Sequence, residues 1–198
     1  WDMSAIKWID QLMPIYKIGS GDLTAYPIIN EICELSKPII LSTGLSTMLE
    51  VKNTVNYIKT VNPIYKREEM LAVLQCTSMY PISYNDSNLN VMNEYKNTLG
   101  CVVGYSDHTE GAYALEIAVA KGAQVLEFHF TDKREGKSFR DHKVSLIKKE
   151  VLTLIEKIHL IKSLEGNSTK KPLVSESDHV ISFRRAIYPK QDLPKGTI

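Results

Sequence analysis

The sequence predicts an α/β fold built on a parallel sheet, and three observations lead to that prediction. Near-continuous apolar runs of strand length recur along the chain, each ends in Ser, Thr, Asp or His, and segments with helical apolar spacing separate them. Strands buried on both faces of a parallel sheet have such runs, and alternation with helices is typical of repeated βα units. Closure of such a sheet gives the TIM (β/α)8 barrel, which needs eight strands.

Hydrophobic periodicity places the first elements in order. We predict strands over residues 16–22, 37–44 and 70–77, and helices over 26–35, 47–60 and 89–99. The first strand runs into a Gly-rich turn, and the other two end in polar residues. Five strands are predicted in all, so a closed barrel would need three further βα units before Trp1. Both ends cut through predicted elements, so we expect a piece of a longer protein.

Two histidines end the last two predicted strands. His108 closes segment 104–109, His129 lies in segment 125–131, and an Ala-rich helix over 111–122 separates them. The carboxyl ends of neighbouring parallel strands share one mouth, so both histidines are expected to reach one ion there. Imidazole nitrogens suit a divalent transition metal, and two of them leave open positions for water or substrate. The alternative is two unrelated polar residues at strand ends.

The other predicted strand ends are polar as well. They present a cation, several hydroxyls and glycine-flanked backbone amides, a combination that suits a phosphate. The residues are Lys17, Ser20, Asp22, Ser42, Thr43, Thr77, Ser78, Tyr80, Ser106 and Glu127. With a metal opposite, they indicate a phosphorylated substrate brought up to a polarised carbonyl. Each has a structural alternative, since Lys17 could be a surface charge, the hydroxyls could cap helices and Tyr80 could pack a loop.

The C-terminal third contains a charged loop, a long helix and a polar tail. Residues 132–142 form a candidate lid at the mouth, although a merely solvated loop fits equally well. We predict a helix over 146–164, and an extended segment over 180–188. The expected domains are the C-terminal portion of a barrel (1–165), a linker (166–179) and the start of a second domain (180–198).

Composition excludes several classes of protein. A net charge of +1 gives no electrostatic reason to expect nucleic acid or an anionic membrane as partner. No apolar run approaches the roughly 20 residues of a membrane helix, and no signal-peptide pattern opens the chain. Cys33, Cys76 and Cys101 are scattered and odd in number, which fits core or near-core thiols in a reducing cytoplasm.

The motifs at the strand ends resemble those of the sialic acid synthases, the N-acetylneuraminate synthase-type family. The matching blocks lie at residues 17–22, 41–44, 75–81, 104–109, 127–131 and 141–143. The resemblance implies a TIM barrel followed by an antifreeze-like (SAF) domain, whose start is similar to residues 183–186 and 195–196. It implies condensation of phosphoenolpyruvate with N-acetylmannosamine or a related amino sugar. It also implies a homodimer for the full-length protein.

The same resemblance assigns residue roles. His108 and His129 match metal ligands that usually hold Mn²⁺, with Mg²⁺ or Co²⁺ as alternatives, and with Lys17 they form the expected catalytic set. Phosphoenolpyruvate contacts are implied for Lys17, Ser20, Ser42 and Ser106. Contacts to the amino sugar are implied for Asp22, Ser78, Tyr80 and Asp141.

The sequence also departs from the family pattern. Asp22 and Ser78 stand where Glu and Asn are common, so the sugar and its contacts can differ. Phe128 occupies an often basic position, but alternation points it away from the mouth. The family's first three strands are not in this chain. The alternatives are another phosphoenolpyruvate–aldose condensing synthase of this barrel type, or an inactive barrel that binds a sugar or metal.

Overall fold

The computed structural model describes residues 2–197 and confirms the predicted α/β fold: five parallel strands form part of a TIM barrel. The strands are β1 (Tyr16–Ile18), β2 (Ile39–Ser42), β3 (Leu71–Cys76), β4 (Val102–Asp107) and β5 (Val125–Phe128). The helices are α1 (Met3–Ile9), α2 (Tyr26–Glu34), α3 (Met48–Val61), α4 (Val91–Thr98), α5 (Tyr113–Ala120), α6 (Asp141–Val144), α7 (Lys148–Glu165) and α8 (Ser177–Ser182). The chain divides into two compact units, Trp1–Glu165 and Gly166–Ile198.

The sheet has the order β1-β2-β3-β4-β5, with each strand parallel to its neighbours. In this register Cys76 of β3 lies beside Ser106 of β4, and Ser106 lies beside Glu127 of β5. Residues that pair across parallel strands share a face, so these three side chains stand in one row. The strand ends are therefore aligned at one edge, as a shared mouth requires.

Alternation divides the strand residues between two faces. Ile39, Leu41, Val73, Val103 and Tyr105 belong to one buried hydrophobic core together with residues of the surrounding helices. The residues between them face the inside of the curved sheet, where Lys17, Ile40, Leu74, Val125 and Glu127 contribute to a cavity of about 340 Å³. The carboxyl edge of the concave face therefore presents Lys17 and Glu127 to this interior.

Local chemistry defines the helix ends. Helix α3 begins with a capping box in which Thr47 Oγ1 accepts from the backbone of Glu50 and the Glu50 carboxylate accepts from the backbone of Thr47. Helix α2 has Pro27 in its first turn, where a missing N–H costs no helical hydrogen bond. Both helices were predicted from apolar periodicity alone, and these end signals agree with that prediction.

Two local predictions differ in part from the structure. The helix predicted from residue 146 begins at Lys148, because Leu146 continues the sheet as a parallel bridge to Phe130. The Leu146 N–H donates to the His129 carbonyl at 2.8 Å, and the Thr131 N–H donates to the Leu146 carbonyl at 3.0 Å. Leu146 is buried, so its packing beside β5 outweighs its helical periodicity.

The second difference lies in the second unit. Residues 180–182 of the predicted extended segment belong to helix α8, and a 3-10 turn at Val174–Glu176 interrupts the predicted linker. Within the described part of this unit there is no strand for residues 180–188 to pair with. The backbone forms local bonds instead, as when the Phe183 N–H donates to the His179 carbonyl at 2.9 Å.

Among the helices described, none combines the length and the apolar character needed to cross a lipid bilayer.

Candidate active site

A cleft of about 450 Å³ opens at the carboxyl edge of the sheet. It brings together nine of the residues predicted to form the site: Lys17, Ser20, Ser42, Ser78, Tyr80, Ser106, His108, Glu127 and His129. They come from all five strands or from the segments that follow them directly. Phe128 is not among its lining residues and packs against the hydrophobic core, as the alternation predicted.

Sheet curvature brings the two edge strands together across this cleft. Four inter-strand spacings separate β1 from β5, which would be roughly 19 Å in a flat sheet. Yet Lys17 Nζ of β1 lies 3.2 Å from Glu127 Oε2 of β5. Ser42 Oγ of β2 donates to the same carboxylate oxygen at 3.4 Å. The strands therefore curve around a shared interior, and the Glu127 carboxylate links three of them.

The Lys17–Glu127 pair defines the charge of the cleft floor. The two side chains are 30% and 40% exposed, so a ligand can reach both. A bound anion must share the Lys17 ammonium with Glu127 or displace that carboxylate. The ammonium has three donors, which allows it to contact an anion and Glu127 together. Lys17 can therefore hold a phosphate without leaving its native position.

The two histidines lie directly after their strands and face each other. His108 follows β4, His129 follows β5, and their ring centroids are 5.3 Å apart at an interplanar angle of 60°. The Tyr80 ring packs at 4.1 Å from the His108 ring and at 5.4 Å from the His129 ring. This confirms the juxtaposition that consecutive parallel strands predicted.

A backbone carbonyl fixes the orientation of His108. Its Nδ1 lies 2.8 Å from the Thr77 carbonyl oxygen, which only accepts, so Nδ1 carries the proton and Nε2 keeps its lone pair. Burial lowers the pKa of His108, but its contacts with Cys76 and Thr77 outweigh that effect and raise the pKa above its ordinary value. The available donor atom for a ligand is Nε2.

His129 has a different partner. Its Nδ1 lies 3.7 Å from Asp141 Oδ2, and the two side chains are 30% and 32% exposed. Burial lowers the pKa of His129, and the neighbouring His108 lowers it further. His129 is therefore neutral near pH 7, which is the form that binds metals.

The donor set fits a divalent metal that keeps open positions. Two imidazoles face one cleft, and the Thr77 carbonyl leaves only Nε2 of His108 for a ligand. In the range 2–197, no group of three or more His, Cys, Asp and Glu side chains is arranged to hold an ion. A metal held here would depend on two histidines, and water or substrate would complete its coordination.

Hydroxyl groups line the side of the cleft near β1 and β2. Ser20 Oγ accepts from the Gly44 N–H at 2.9 Å, which ties the turn after β1 to the turn after β2. A Cβ atom on Gly44 would lie 2.1 Å from Ser78 Oγ and 2.8 Å from Ser20 Oγ, so only glycine allows this approach. Ser106 is buried at the same edge. The hydroxyls and Lys17 together suit a phosphate and a carboxylate.

Four predicted residues lie outside the lining of the cleft: Asp22, Thr43, Thr77 and Asp141. Thr43 and Thr77 line another cavity. Asp22 is half-buried in the 3-10 turn Ser20–Asp22. Asp141, the first residue of α6, contacts His129.

Two lining residues with titratable side chains received no site role from the sequence: Cys76 and Arg140. Burial raises the pKa of Cys33 to about 12 and of Cys101 to about 11, as expected for core thiols. Burial also raises the pKa of Cys76, but its contact with His108 reverses the direction. Alternation along β3 was a usable signal for Cys76, since it follows Leu74 on the concave face. Arg140 lies in a loop and carried no such signal.

The loop at residues 132–142, here the lid loop, is anchored to α7. Arg134 donates to both carboxylate oxygens of Glu150 at 2.8 and 2.5 Å, and also to the Ser145 carbonyl at 2.8 Å. Near the C-terminal end of the loop, the Arg140 guanidinium lies over the Tyr80 ring, 4.9 Å from the ring centroid. The loop therefore lies against the cleft and is held at its base.

This anchor makes a prediction about acid stability. The Arg134 hydrogen bond lowers the pKa of Glu150 below its ordinary value of 4.5, and the Ile147 N–H adds to the effect. As the pH falls, Glu150 is protonated in the unfolded chain before it is protonated in the folded chain. The stabilisation is therefore present above pH 4.5 and is lost as the pH falls through the lower pKa of Glu150 in the folded chain. At pH 7 the free energy of unfolding of wild type should exceed that of Glu150→Gln by about 0.5–1 kcal/mol.

Urea unfolding of both chains at pH 7, 4.5 and 3 measures this difference. The difference in unfolding free energy between the two chains should shrink as the pH falls from 4.5 to 3. Glu156→Gln, a change at an exposed glutamate of the same helix, should show no such dependence. A gap that stays constant with pH would contradict the ion-pair explanation.

The relatives of the chain are consistent with this site. The NeuB family profile matches residues 1–170. N,N'-diacetyllegionaminic acid synthase of Campylobacter jejuni is 36% identical, over 100% of this chain and 58% of its own length. N-acetylneuraminate-9-phosphate synthase of Homo sapiens is 32% identical, over 100% of this chain and 54% of its own length. The chain thus spans just over half the length of these curated relatives.

A solved structure gives the same relationship. The N-acetylneuraminic acid synthetase of Leptospira borgpetersenii serovar Hardjo-bovis, crystallised with citrate, superimposes with a TM-score of 0.82 at 26% identity. The alignment covers 92% of this chain and 62% of that one. The resemblance found in the site motifs is therefore confirmed, and the chain belongs to the NeuB family.

Proposed function

We propose that this chain carries part of the active site of a synthase that condenses phosphoenolpyruvate with N-acetylmannosamine or a related N-acetylated amino sugar. The products would be a sialic-type nonulosonic acid and phosphate. The observation that carries the proposal is the cleft itself, where one ammonium and several hydroxyls face two convergent imidazoles. The names of the relatives, a legionaminic acid synthase and an N-acetylneuraminate-9-phosphate synthase, support the product class.

Phosphoenolpyruvate would occupy the β1–β2 side of the cleft. Lys17 would donate to its phosphate, and Ser20, Ser42 and Ser106 would donate to its phosphate and carboxylate oxygens. These groups come from three different strands, so the sheet fixes their separations. Their main contribution would be to hold the enol C3 atom in one orientation toward the second substrate.

His108 and His129 would hold the metal, with Mn²⁺ as our first choice and Mg²⁺ or Co²⁺ as alternatives. A divalent ion bound there supplies Lewis-acid stabilisation for negative charge that develops on the aldehyde oxygen of the open-chain sugar. Tyr80 packs against both rings and limits their rotation. The protein's part is to keep the two imidazoles in place, with Nε2 of His108 open to a ligand.

The amino sugar would enter from the side of the lid loop, with Asp22, Ser78, Tyr80 and Asp141 as its contacts. In the reaction C3 of phosphoenolpyruvate attacks the aldehyde carbon, water adds at C2, and phosphate leaves by carbon–oxygen cleavage.

A cytoplasmic location is supported by the free state of Cys33, Cys76 and Cys101. We further propose a homodimer for the full-length protein, with no nucleic-acid or membrane partner, and residues 180–198 as the start of an SAF domain.

Titration of phosphoenolpyruvate into the chain, with Mn²⁺ present, tests the proposal. We expect saturable binding that Lys17→Met weakens roughly 30-fold, which corresponds to about 2 kcal/mol for a lost hydrogen bond between charged groups. Without Lys17 the Glu127 carboxylate is also left to repel the phosphate.

Lys52→Met is the matched control, because Lys52 pairs with Glu94 on the helical layer and does not line the cleft. It should leave the affinity unchanged. Equal affinities for wild type and Lys17→Met, in chains with the same melting temperature, would remove Lys17 from the substrate site.

A further inference from the structure

We infer that Asp141 is a positioning residue for His129: its carboxylate accepts the Nδ1 proton and thereby directs Nε2 of His129 toward the metal position. The resemblance assigns Asp141 only to the amino sugar. The inference rests on the metal site of the proposed function, and it concerns how this chain orients one of the two ligands.

The contact itself is the first step. Asp141 Oδ2 lies 3.7 Å from His129 Nδ1, within ion-pair range. A separation of this size is spanned by a small side-chain rotation or by one bridging water. Asp141 is not among the residues that line the cleft, so its carboxylate can contact His129 without occupying the open space.

The second step is the match with His108. There an acceptor-only group, the Thr77 carbonyl, holds Nδ1 at 2.8 Å and leaves Nε2 for a ligand. The Asp141 carboxylate is also an acceptor-only group when ionised, and it faces the same ring nitrogen of His129. Each imidazole is thus backed at Nδ1 by an oxygen, and such outer partners fix the tautomer and ring orientation of metal-binding histidines.

The third step is that the fold holds Asp141 in place. Ser145 Oγ donates to the Asp141 carbonyl at 2.8 Å, and the next turn anchors Arg134 through the Ser145 carbonyl. The backbone of Asp141 is therefore tied to the base of the lid loop. A carboxylate fixed in this way can hold a ring in one orientation.

The two oxygens of Asp141 have separate surroundings. Oδ2 faces His129, whereas Oδ1 is buried and accepts no hydrogen bond from the part of the chain that the structure describes. Arg140 Nε lies 3.5 Å from Oδ1, in ion-pair range but without hydrogen-bond geometry. An unpaired buried acceptor is costly, but Oδ1 accepts no hydrogen bond from the described residues that would turn the carboxylate away from His129.

The experiment compares wild type with Asp141→Ala. Asp132→Ala is the matched control, because Asp132 is an aspartate at the opposite end of the lid loop and pairs with Lys137 instead of a histidine. The first readout is the ¹⁵N NMR spectrum of the metal-free chain, which has only five histidines to assign. We expect the His129 proton on Nδ1 in wild type and in the control. Asp141→Ala should move it predominantly to Nε2.

The second readout is Mn²⁺ affinity by calorimetry without sugar. A residue that contacts only the sugar cannot change this affinity, whereas loss of an outer partner typically weakens metal binding 10–100-fold. We expect a loss in that range for Asp141→Ala and none for Asp132→Ala. An unchanged tautomer together with an affinity within twofold of wild type would overturn the inference. If wild type itself binds no Mn²⁺, the metal site of the proposed function fails, and the tautomer still decides the role of Asp141.

Discussion

Replacement of His108 by alanine is expected to weaken Mn²⁺ binding by at least about 100-fold, more than the loss of a partner outside the coordination shell. The two imidazoles that face each other in the cleft are the proposed metal ligands, so the change removes one of the two. The remaining His129 would be a single neutral ligand, comparable to any exposed histidine. The binding of phosphoenolpyruvate, if coupled to the metal, should weaken with it.

Isothermal titration with MnCl₂ measures this effect, and His142→Ala is its matched control. His142 is the last residue of the lid loop, where its Nδ1 is 3.0 Å from Thr131 Oγ1. It does not line the cleft. It should leave the affinity within twofold of wild type. Because His108 is buried, His108→Asn tests whether the loss reflects the ligand or a cavity. Micromolar Mn²⁺ binding that survives both His108 variants would contradict the two-histidine site.

The histidine pair was predictable because it depends on local geometry alone. Parallel strands with one connecting helix bring their carboxyl ends to one edge, whatever the rest of the fold does. Alternation along each strand then selects the side chains of the concave face, which covers Lys17, Ser42 and Ser106. These inferences need only the element order and the period of two, and both are readable from the apolar runs.

The contacts that depend on sheet curvature were not predictable. Lys17 and Glu127 lie on opposite edge strands, and no local pattern indicates how far the sheet curves between them. The orientation of Arg140 and Asp141 depends on how the lid loop is anchored, and Arg134 meets Glu150 across the turn before α7. The prediction of an extended segment over residues 180–188 was wrong at its start, where residues 180–182 belong to α8. The described part of that unit has no strand with which this segment could pair. Loop conformation and strand pairing are tertiary outcomes.

Gly104→Ala is expected to produce the largest loss of stability, about 3 kcal/mol, at the upper end of the range for an inserted methyl group. A Cβ atom at this position would lie 2.3 Å from the Val125 carbonyl oxygen and 2.5 Å from Leu74 Cδ2. Leu74 can rotate, but the Val125 carbonyl belongs to the backbone of β5, which pairs with β4 at this very position. The two strands would have to separate.

Gly21→Ala is the control, because a Cβ atom there meets no other atom within 4 Å and the backbone conformation is open to any residue. Its stability should stay within about 0.5 kcal/mol of wild type. Thermal unfolding should show Gly104→Ala melting roughly 10 °C lower, as 3 kcal/mol implies for a chain of this size. A melting temperature equal to that of Gly21→Ala would contradict the close packing of β4 on β5. His108 and His129 follow β4 and β5, so any separation of these strands should also weaken Mn²⁺ binding. Gly104→Ala therefore tests whether the packing of the sheet determines the geometry of the cleft.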